Sequence, residues 1–472
     1  MLLSGKGPME RTFKYRFLII ISVIVTCLFL IREMVISSRA YSQGVDMDMT
    51  ATPNPIGSGA RAMGMGGAFI SVADDATAAS WNPGGLLQLT KPEISIVGSF
   101  YSGEIDYKTS VVDGNIDDHP LDIYHLNYLS TVVPFLLFRR NFVFSLNYQH
   151  LYEFSRKNFY SWSETMPDAG IDLSRRNYKY QRGSLSTISP ALAFQVDPWF
   201  YMGLTFNFWD HDILDNGWEN INIQDAEGFE LGGKYKIEHS EVFERYDFSG
   251  FNMHIGFLFK SDYFTIWGKM RKLRIGWIIK TPFDAKVHYE RMGILYEEYP
   301  DDPSSKPFKD LSIPPMDLIL KMPLSYGLGF SLDLSDSLSL ALDVYRTRWD
   351  QYVLKSPSGY ERSPIKRSED DDDVSPTTQV RLGAEYLFQK PGRIIPVRIG
   401  AFYDPDPSSG RPDDIFGVSF GSGISYKELF SFDFVYQFRF GHKRDAESFQ
   451  GLDISGRIAQ HYFYVSMIYY LF

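Results

Sequence analysis

The sequence predicts an all-β protein, an antiparallel transmembrane β-barrel of about 14 strands. Three observations predict it. First, apolar and polar residues alternate with period two, most clearly in Phe430 to Phe440. There Phe430, Phe432, Phe434, Tyr436, Phe438 and Phe440 share one face, and Ser431, Asp433, Val435, Gln437 and Arg439 share the other. An aromatic face opposite one holding Asp, Gln and Arg suits a wall with lipid outside and a polar lumen inside, not a soluble sandwich. Second, the connections between such segments alternate between short and long. Third, the chain is rich in aromatics, 16% with 30 Tyr and 37 Phe, and closes on an aromatic strand, YFYVSMIYYLF.

From the N-terminus, residues 1–42 read as a secretory signal peptide. Arg11, Lys14 and Arg16 form a positive region before the apolar run Phe17 to Ile31, which Arg32 and Glu33 stop. Fifteen residues are short for a helical span of about 20. Ser38-Arg39-Ala40 or Ala40-Tyr41-Ser42 offers a cleavage site. The only cysteine, Cys27, lies inside this run, so the mature chain is expected to lack thiols, disulfides and Cys metal sites. The net charge is −11, and the first forty residues carry six Lys/Arg against Glu10 and Glu33. The remainder is therefore strongly acidic, which argues against a nucleic-acid partner.

Residues 43–90 have a different character. Gly57 to Leu86 reads GSGARAMGMGGAFISVADDATAASWNPGGL, with five glycines in its first eleven residues and a turn at Trp81-Asn82-Pro83-Gly84-Gly85. No βαβ pattern frames the glycines and no Gly-Lys-Ser/Thr follows, so a phosphate loop is not indicated. The segment resembles the N-terminal region of the FadL/TodX family of outer-membrane transporters for long-chain fatty acids and hydrocarbons. PorV-like outer-membrane barrels of a secretion system share a similar opening. The resemblance implies a plug, or hatch, folded inside the barrel lumen. Where the family usually has Asn-Pro-Ala, this chain has Asn82-Pro83-Gly84.

Residues 91–472 supply the barrel. Phe142, Phe144, Leu146 and Tyr148 alternate against Ser145, Asn147 and Gln149. Leu324, Tyr326, Leu328, Phe330 and Leu332 alternate against Ser325, Gly327, Gly329, Ser331 and Asp333, and the inward glycines leave room for a plug. Fourteen segments centre near residues 97, 127, 147, 189, 204, 255, 277, 327, 342, 383, 399, 421, 435 and 466. Fourteen is also the strand number that the resemblance implies. Short connections fall at Asp197-Pro198, Leu334 to Asp336, Gln389 to Arg393 and Lys427 to Leu429, with Pro134 to Arg140 and Ser261 to Lys272 somewhat longer. Between them lie Ser102 to Pro120, Ser155 to Arg182, Asp210 to Gly250, Pro282 to Lys321 and Arg348 to Thr377, then the shorter Asp404 to Asp414 and His442 to Ser455. Short periplasmic turns against long outer loops put both termini on the periplasmic side. The end Tyr470-Leu471-Phe472 resembles the signal read by the bacterial barrel-assembly machinery.

No catalytic chemistry is indicated. The nine histidines show no H-E-x-x-H or other metal-ligand spacing, no Gly-x-Ser-x-Gly elbow occurs, and no cofactor is expected. Glu369 to Asp373 reads as a solvated acidic run, with divalent-ion bridging to lipopolysaccharide phosphates as the other use. The resulting expectation is passive uptake of a hydrophobic small molecule across the outer membrane, in contact with lipid and lipopolysaccharide, with no energy-coupling motif. Met63, Met65, Phe69 and Trp81 are the candidate ligand contacts, and Met suits such a surface by its polarizable thioether. Gly64, Gly66, Gly67, Asn82, Pro83 and Gly84 are the candidate gate, with Arg61 pairing lumenal Asp343 or Asp433 to hold the plug. Arg439 is a further lumenal charge. A PorV-like binding or shuttle barrel is the alternative, and a structural barrel without cargo a third.

Overall fold

The computed structural model describes Asn54 and residues 56–471, apart from 110–113, 119–120, 167–169, 231–232, 262–263, 267–268, 301–306, 367–371, 428 and 450–451. The signal peptide, Cys27, Glu369 to Asp371 and Phe472 lie outside the described residues. Each of the fourteen expected segments falls on a wall strand. The first five are β1 (Glu93–Thr109), β2 (Leu121–Leu137), β3 (Arg140–Glu153, resumed as Arg156–Met166), β4 (Ile171–Asp197) and β5 (Phe200–Trp209, resumed as Gly217–Glu230). Next come β6 (Lys234–Lys260), β7 (Lys269–Lys280, resumed as Phe283–Glu298), β8 (Ile313–Met322, resumed as Ser325–Asp333), β9 (Leu338–Thr347) and β10 (Thr377–Lys390). Last are β11 (Arg393–Tyr403), β12 (Ile415–Tyr426), β13 (Phe430–Phe449) and β14 (Leu452–Tyr470). Each pairs antiparallel with its neighbours, and β1 closes on β14 from Glu93↔Tyr470 to Thr109↔Ile454. The sheet is a closed 14-stranded barrel, without free edges between wall strands.

Side-chain faces follow the alternation. Phe432, Phe434 and Phe440 on β13, and Tyr326, Leu328 and Phe330 on β8, are exposed outward, while Asp433, Gln437, Arg439 and Ser331 are buried inward. An outer band this apolar has a favourable solvent only in lipid, so the barrel reads as membrane-spanning.

The long connections differ from the expected loops. Ser155 to Arg182, Asp210 to Gly250 and Pro282 to Lys321 are mostly β-structure that prolongs the wall. β4 and β6 each run 27 residues. At about 3.3 Å per residue that is roughly 90 Å of strand, against the 9–11 residues that cross a bilayer. Their inner faces are partly buried, as at Tyr160, Leu173, Trp218 and Tyr246, and their outer faces carry polar groups such as Lys286 and His288, so they lack the lipid-facing apolar stripe that marks a strand in sequence. Where extension meets wall, several strands break. In β7 and β8 the breaks fall at Thr281-Pro282 and Pro323-Leu324, opposite one another in register, because proline has no N–H for the ladder. In β5 a short helix, His211–Leu214, fills the break, and the Asp210 side chain accepts from Ile213 N at 2.9 Å.

Inside the lumen lies the described part of the plug, Asn54 and residues 56–92. Helix α1 spans Ala60–Gly64, α2 spans Ala78–Trp81, and a 3-10 turn spans Pro83–Gln88. Gly66 and Gly67 take φ of 67° and 76°, the left-handed region that favours glycine, and reverse the chain after α1.

Candidate functional site

The plug is seated backbone against backbone, which the wall permits by omitting side chains at the contacts. A Cβ on Gly400 of β11 would lie 2.1 Å from Gly66 N, and one on Gly383 of β10 2.4 Å from Met65 O. One on Gly276 of β7 would meet Ile70 O at 2.5 Å, and one on Gly203 of β5 the carbonyl carbon of Pro83 at 2.3 Å. Gly256 of β6 faces the turn itself, 2.1 Å from Asn82 Oδ1 and 2.6 Å from Pro83 Cδ by the same measure. Gly327 and Gly329 of β8 accommodate Ile70, as their inward position in the alternation predicts.

Polar wall groups then satisfy the plug's backbone. Phe69 N and Ile70 N donate to Asp343 Oδ2 at 2.6 and 2.8 Å. Ser419 Oγ accepts from Gly66 N at 3.0 Å and donates to Gly64 O at 2.9 Å. Gln437 donates to Met63 O, Thr205 to Ala79 O and Arg381 to Gly66 O, at 2.8, 2.9 and 3.0 Å. Asn82 Nδ2 bridges plug and wall, donating to Ile70 O and Phe257 O, both at 2.9 Å, while its Oδ1 accepts from Gly84 N at 3.1 Å. All but the Asn82–Phe257 bond are buried, where a lost partner is costly, so the seal is specific as well as tight.

Arg61 does not pair with Asp343 or Asp433. It makes a two-pronged bond to Glu385 at 3.0 Å and an ion pair with Asp74 at 2.7 Å. Glu385 of β10 reaches Arg61, Asp433 is already held by Arg398 at 2.6 Å, and Asp343 is spent on the plug amides. Arg398 also bonds Glu385 at 2.7 Å, which yields a chain of alternating charges, Arg61–Glu385–Arg398–Asp433. Arg439 points inward, bonds Gln460 at 2.9 Å and pairs with Asp406 in the connection before β12. Within the plug, burial raises the Asp75 carboxyl above its ordinary range, against the opposing pull of Arg61 and of the Thr77 hydroxyl and amide bonds.

The four expected ligand contacts separate. Met65, Phe69 and Trp81 are fully buried in the plug-to-wall core, Phe69 edge-on to Trp81 at 5.8 Å, with Trp81 Nε1 donating to Ser58 O at 2.6 Å. In this conformation a solute reaches none of them. Met63 alone borders a cavity of about 70 Å³, shared with Ser58, Tyr101, His125, His150 and Tyr462.

A second cavity of about 50 Å³ was not foreseen. It is lined by Tyr152, Trp209, Phe283, Met322 and Trp349, with His254 and Lys280 among its polar groups. Trp209 packs against Tyr152 at 6.1 Å and stacks on Phe283 at 5.8 Å. Beyond it the aromatic cluster continues through Phe248, Phe154, Trp218 and Tyr246, all buried. It collects where β3, β5, β7 and β8 are interrupted. A usable signal existed in the sequence: aromatics beside breaks in the alternation rather than on its outer face. The β2–β3 ladder, for its part, runs only from Tyr128↔Gln149 to Leu137↔Arg140, although both strands continue past Tyr128 and Gln149.

No family model matches the chain, and no curated protein matches it in sequence. Solved structures match its fold. A FadL homologue of Pseudomonas aeruginosa aligns over 88% of this chain and 98% of its own, with 15% identity and a TM-score of 0.56. The P. putida toluene transporter TodX aligns over 89% and 99%, with 15% identity and a TM-score of 0.51. A TodX monoaromatic hydrocarbon channel mutant aligns over 88% and 99%, with 12% identity and a TM-score of 0.52. The chain thus has the fold of FadL-type barrels.

Proposed function

We propose that this chain is an outer-membrane channel for passive uptake of hydrophobic small molecules, such as long-chain fatty acids or hydrocarbons. The observation that carries the reading is the buried aromatic cavity around Trp209, Phe283 and Trp349, set inside a barrel whose lumen a plug closes. An apolar solute gains roughly 0.8 kcal/mol per buried methylene, so this aromatic lining attracts it from water, and the cavity of about 50 Å³ must widen to admit it. The fold shared with a toluene transporter and a monoaromatic hydrocarbon channel supports the same class of cargo.

The plug blocks straight passage, so the solute moves only when the plug shifts locally. Gly64, Gly66 and Gly67, with the turn Asn82-Pro83-Gly84, are the segments that give way. Met63 then contacts the solute first, and Met65, Phe69 and Trp81 only as the plug loosens. The end of the β2–β3 ladder at Tyr128 and Gln149 offers a sideways exit into the bilayer.

A plug-to-wall crosslink tests this. A Cβ on Gly64 would lie 3.3 Å from Arg398 Cβ, close to the roughly 3.5–4.5 Å of a disulfide, so Gly64→Cys with Arg398→Cys places two thiols at one contact. Oxidation is expected to stop uptake of a labelled fatty acid or toluene by cells carrying the variant, and reduction to restore it. Uptake indifferent to the crosslink would refute passage through the lumen and favour a shuttle barrel.

A further inference from the structure

We propose that His125, His150 and Glu153 form a binding site for one divalent transition-metal ion of the zinc class, tying β2 to β3 where their ladder ends. His125 Nδ1 lies 3.7 Å from Glu153 Oε2, and His150 Nε2 lies 3.4 Å from the same oxygen. The three ligand atoms all fall within 4.8 Å of one another. Four ligands at about 2.0–2.1 Å around a tetrahedral ion sit roughly 3.3 Å apart, so only small side-chain shifts close the cluster on an ion. Two imidazoles and a carboxylate are a zinc donor set, and a fourth position is left for water or solute.

The backbone builds this cluster by two irregularities. On β2, Val97 pairs Tyr128 but Gly98 pairs Leu126, so Asn127 is an extra residue. On β3, His150 pairs Ser186 but Tyr152 pairs Leu185, so Leu151 is another. Each bulge reverses the in–out parity of the strand beyond it. Without the first, His125 would share the outward face of Leu129; without the second, His150 and Glu153 would stand on opposite faces. Two bulges on adjacent strands thus set the faces of His125 and Glu153, and His150, at the edge of the second bulge, completes the cluster.

The donor atoms are otherwise idle. His125 Nδ1 and His150 Nε2 are buried and have no hydrogen-bond partner among the described residues, and His150 and Glu153 are more than nine-tenths buried. The rings stack at 4.0 Å between centroids, which presents their nitrogens side by side. Glu153 Oε1 accepts from Ser155 N at 2.9 Å, leaving Oε2 for the ion, and Ser186 Oγ stands 3.5 Å from His150 Nδ1 as an orienting group. Asn127 Oδ1, also buried without a partner among the described residues, borders the same cavity. Access is through that cavity, which Met63 shares.

The test uses the full-length folded barrel in detergent, stripped with a chelator and titrated with Co²⁺, then with Zn²⁺ in competition. Binding of one Co²⁺ per chain, with the absorption of a tetrahedral ion and displacement by Zn²⁺, is expected. His125→Ala, His150→Ala and Glu153→Gln should each weaken binding by at least about tenfold, the scale seen even for outer-shell losses. His288→Ala, on the extension of β7, should leave it unchanged. His125→Ala sits on β2 beyond its ladder with β3, and so serves as the folding-tolerant variant, with heat-modifiable gel mobility as the check. Failure of Co²⁺ and Zn²⁺ to bind the parent, or binding that survives all three substitutions, overturns the site and leaves a histidine–carboxylate ion pair. Either result is independent of the uptake assay.

Discussion

Asp343 offers the sharpest test of how the plug is held. Its Oδ2 accepts both Phe69 N and Ile70 N, at 2.6 and 2.8 Å, and it is fully buried. Asp343→Ala removes the acceptor from two amides that Gly276 and Gly329 hold tight against the wall. An unsatisfied buried donor costs about 1–3 kcal/mol, so the pair costs about 2–6 kcal/mol of plug seating. At about 1.4 kcal/mol per decade, local opening of this segment should rise at least tenfold and up to about 10⁴-fold. Hydrogen exchange of the Phe69 and Ile70 amides reads this directly, with Ile468 on β14 as a wall reference expected to stay slow. Asp343→Asn keeps an oxygen in place and should recover most of the protection. Unchanged exchange at Phe69 and Ile70 in the alanine variant would refute the claim that this carboxylate seats the plug.

The geometry sets three further outcomes. Gly256→Ala puts a methyl on Asn82 Oδ1 and Pro83 Cδ. It should loosen the turn by about 1–3 kcal/mol, read as faster exchange at Gly84 and Gly85 with gel mobility of the barrel unchanged. Cysteines placed singly at exposed Ser358 and Ser335, at opposite ends of β9, should differ on intact cells: an impermeant thiol reagent should label only Ser358→Cys. Equal labelling would invert or abolish the assigned orientation. Burial alone would raise the Asp406 carboxyl, but Arg439 and Lys443, the latter at 3.3 Å, outweigh it and hold it below its ordinary range. Its contribution is therefore complete above the ordinary carboxylate range, about pH 4, and is lost as pH falls through the lower folded value. The Asp406 and Asp413 amides, which bond each other's carbonyls at 3.0 and 2.9 Å, should stay protected at pH 5 and open only in stronger acid. Asp406→Asn should remove that acid step.

Much of the barrel was determined by the sequence alone. A strand's in–out alternation depends only on successive side-chain directions, so Phe430 to Phe440 declares both faces without any knowledge of its neighbours. Fourteen such stretches and the turns between them suffice to count the wall. The inward glycines of β8 foretold close approach by something inside, and the resemblance carried by Gly57 to Leu86 implied a plug. Tertiary structure decided the rest, for identifiable reasons. The extensions do not present their outer faces to lipid, so Ser155 to Arg182 carries no lipid stripe and reads as loop although it pairs as strand. Arg61 had several carboxylates within its sequence-level reach, and only the placement of Glu385 beside it, with Arg398 already on Asp433 and Asp343 on the plug amides, selected Glu385. Phe283 shares the parity of lipid-facing Trp277 until the break at Thr281-Pro282 turns it inward, where it meets Trp209 and Trp349. His125 and Glu153, 28 positions apart, meet beside His150 because single-residue bulges at Asn127 and Leu151 reverse the faces of His125 and Glu153. A bulge changes no composition and breaks no motif, and its consequence exists only in the paired sheet.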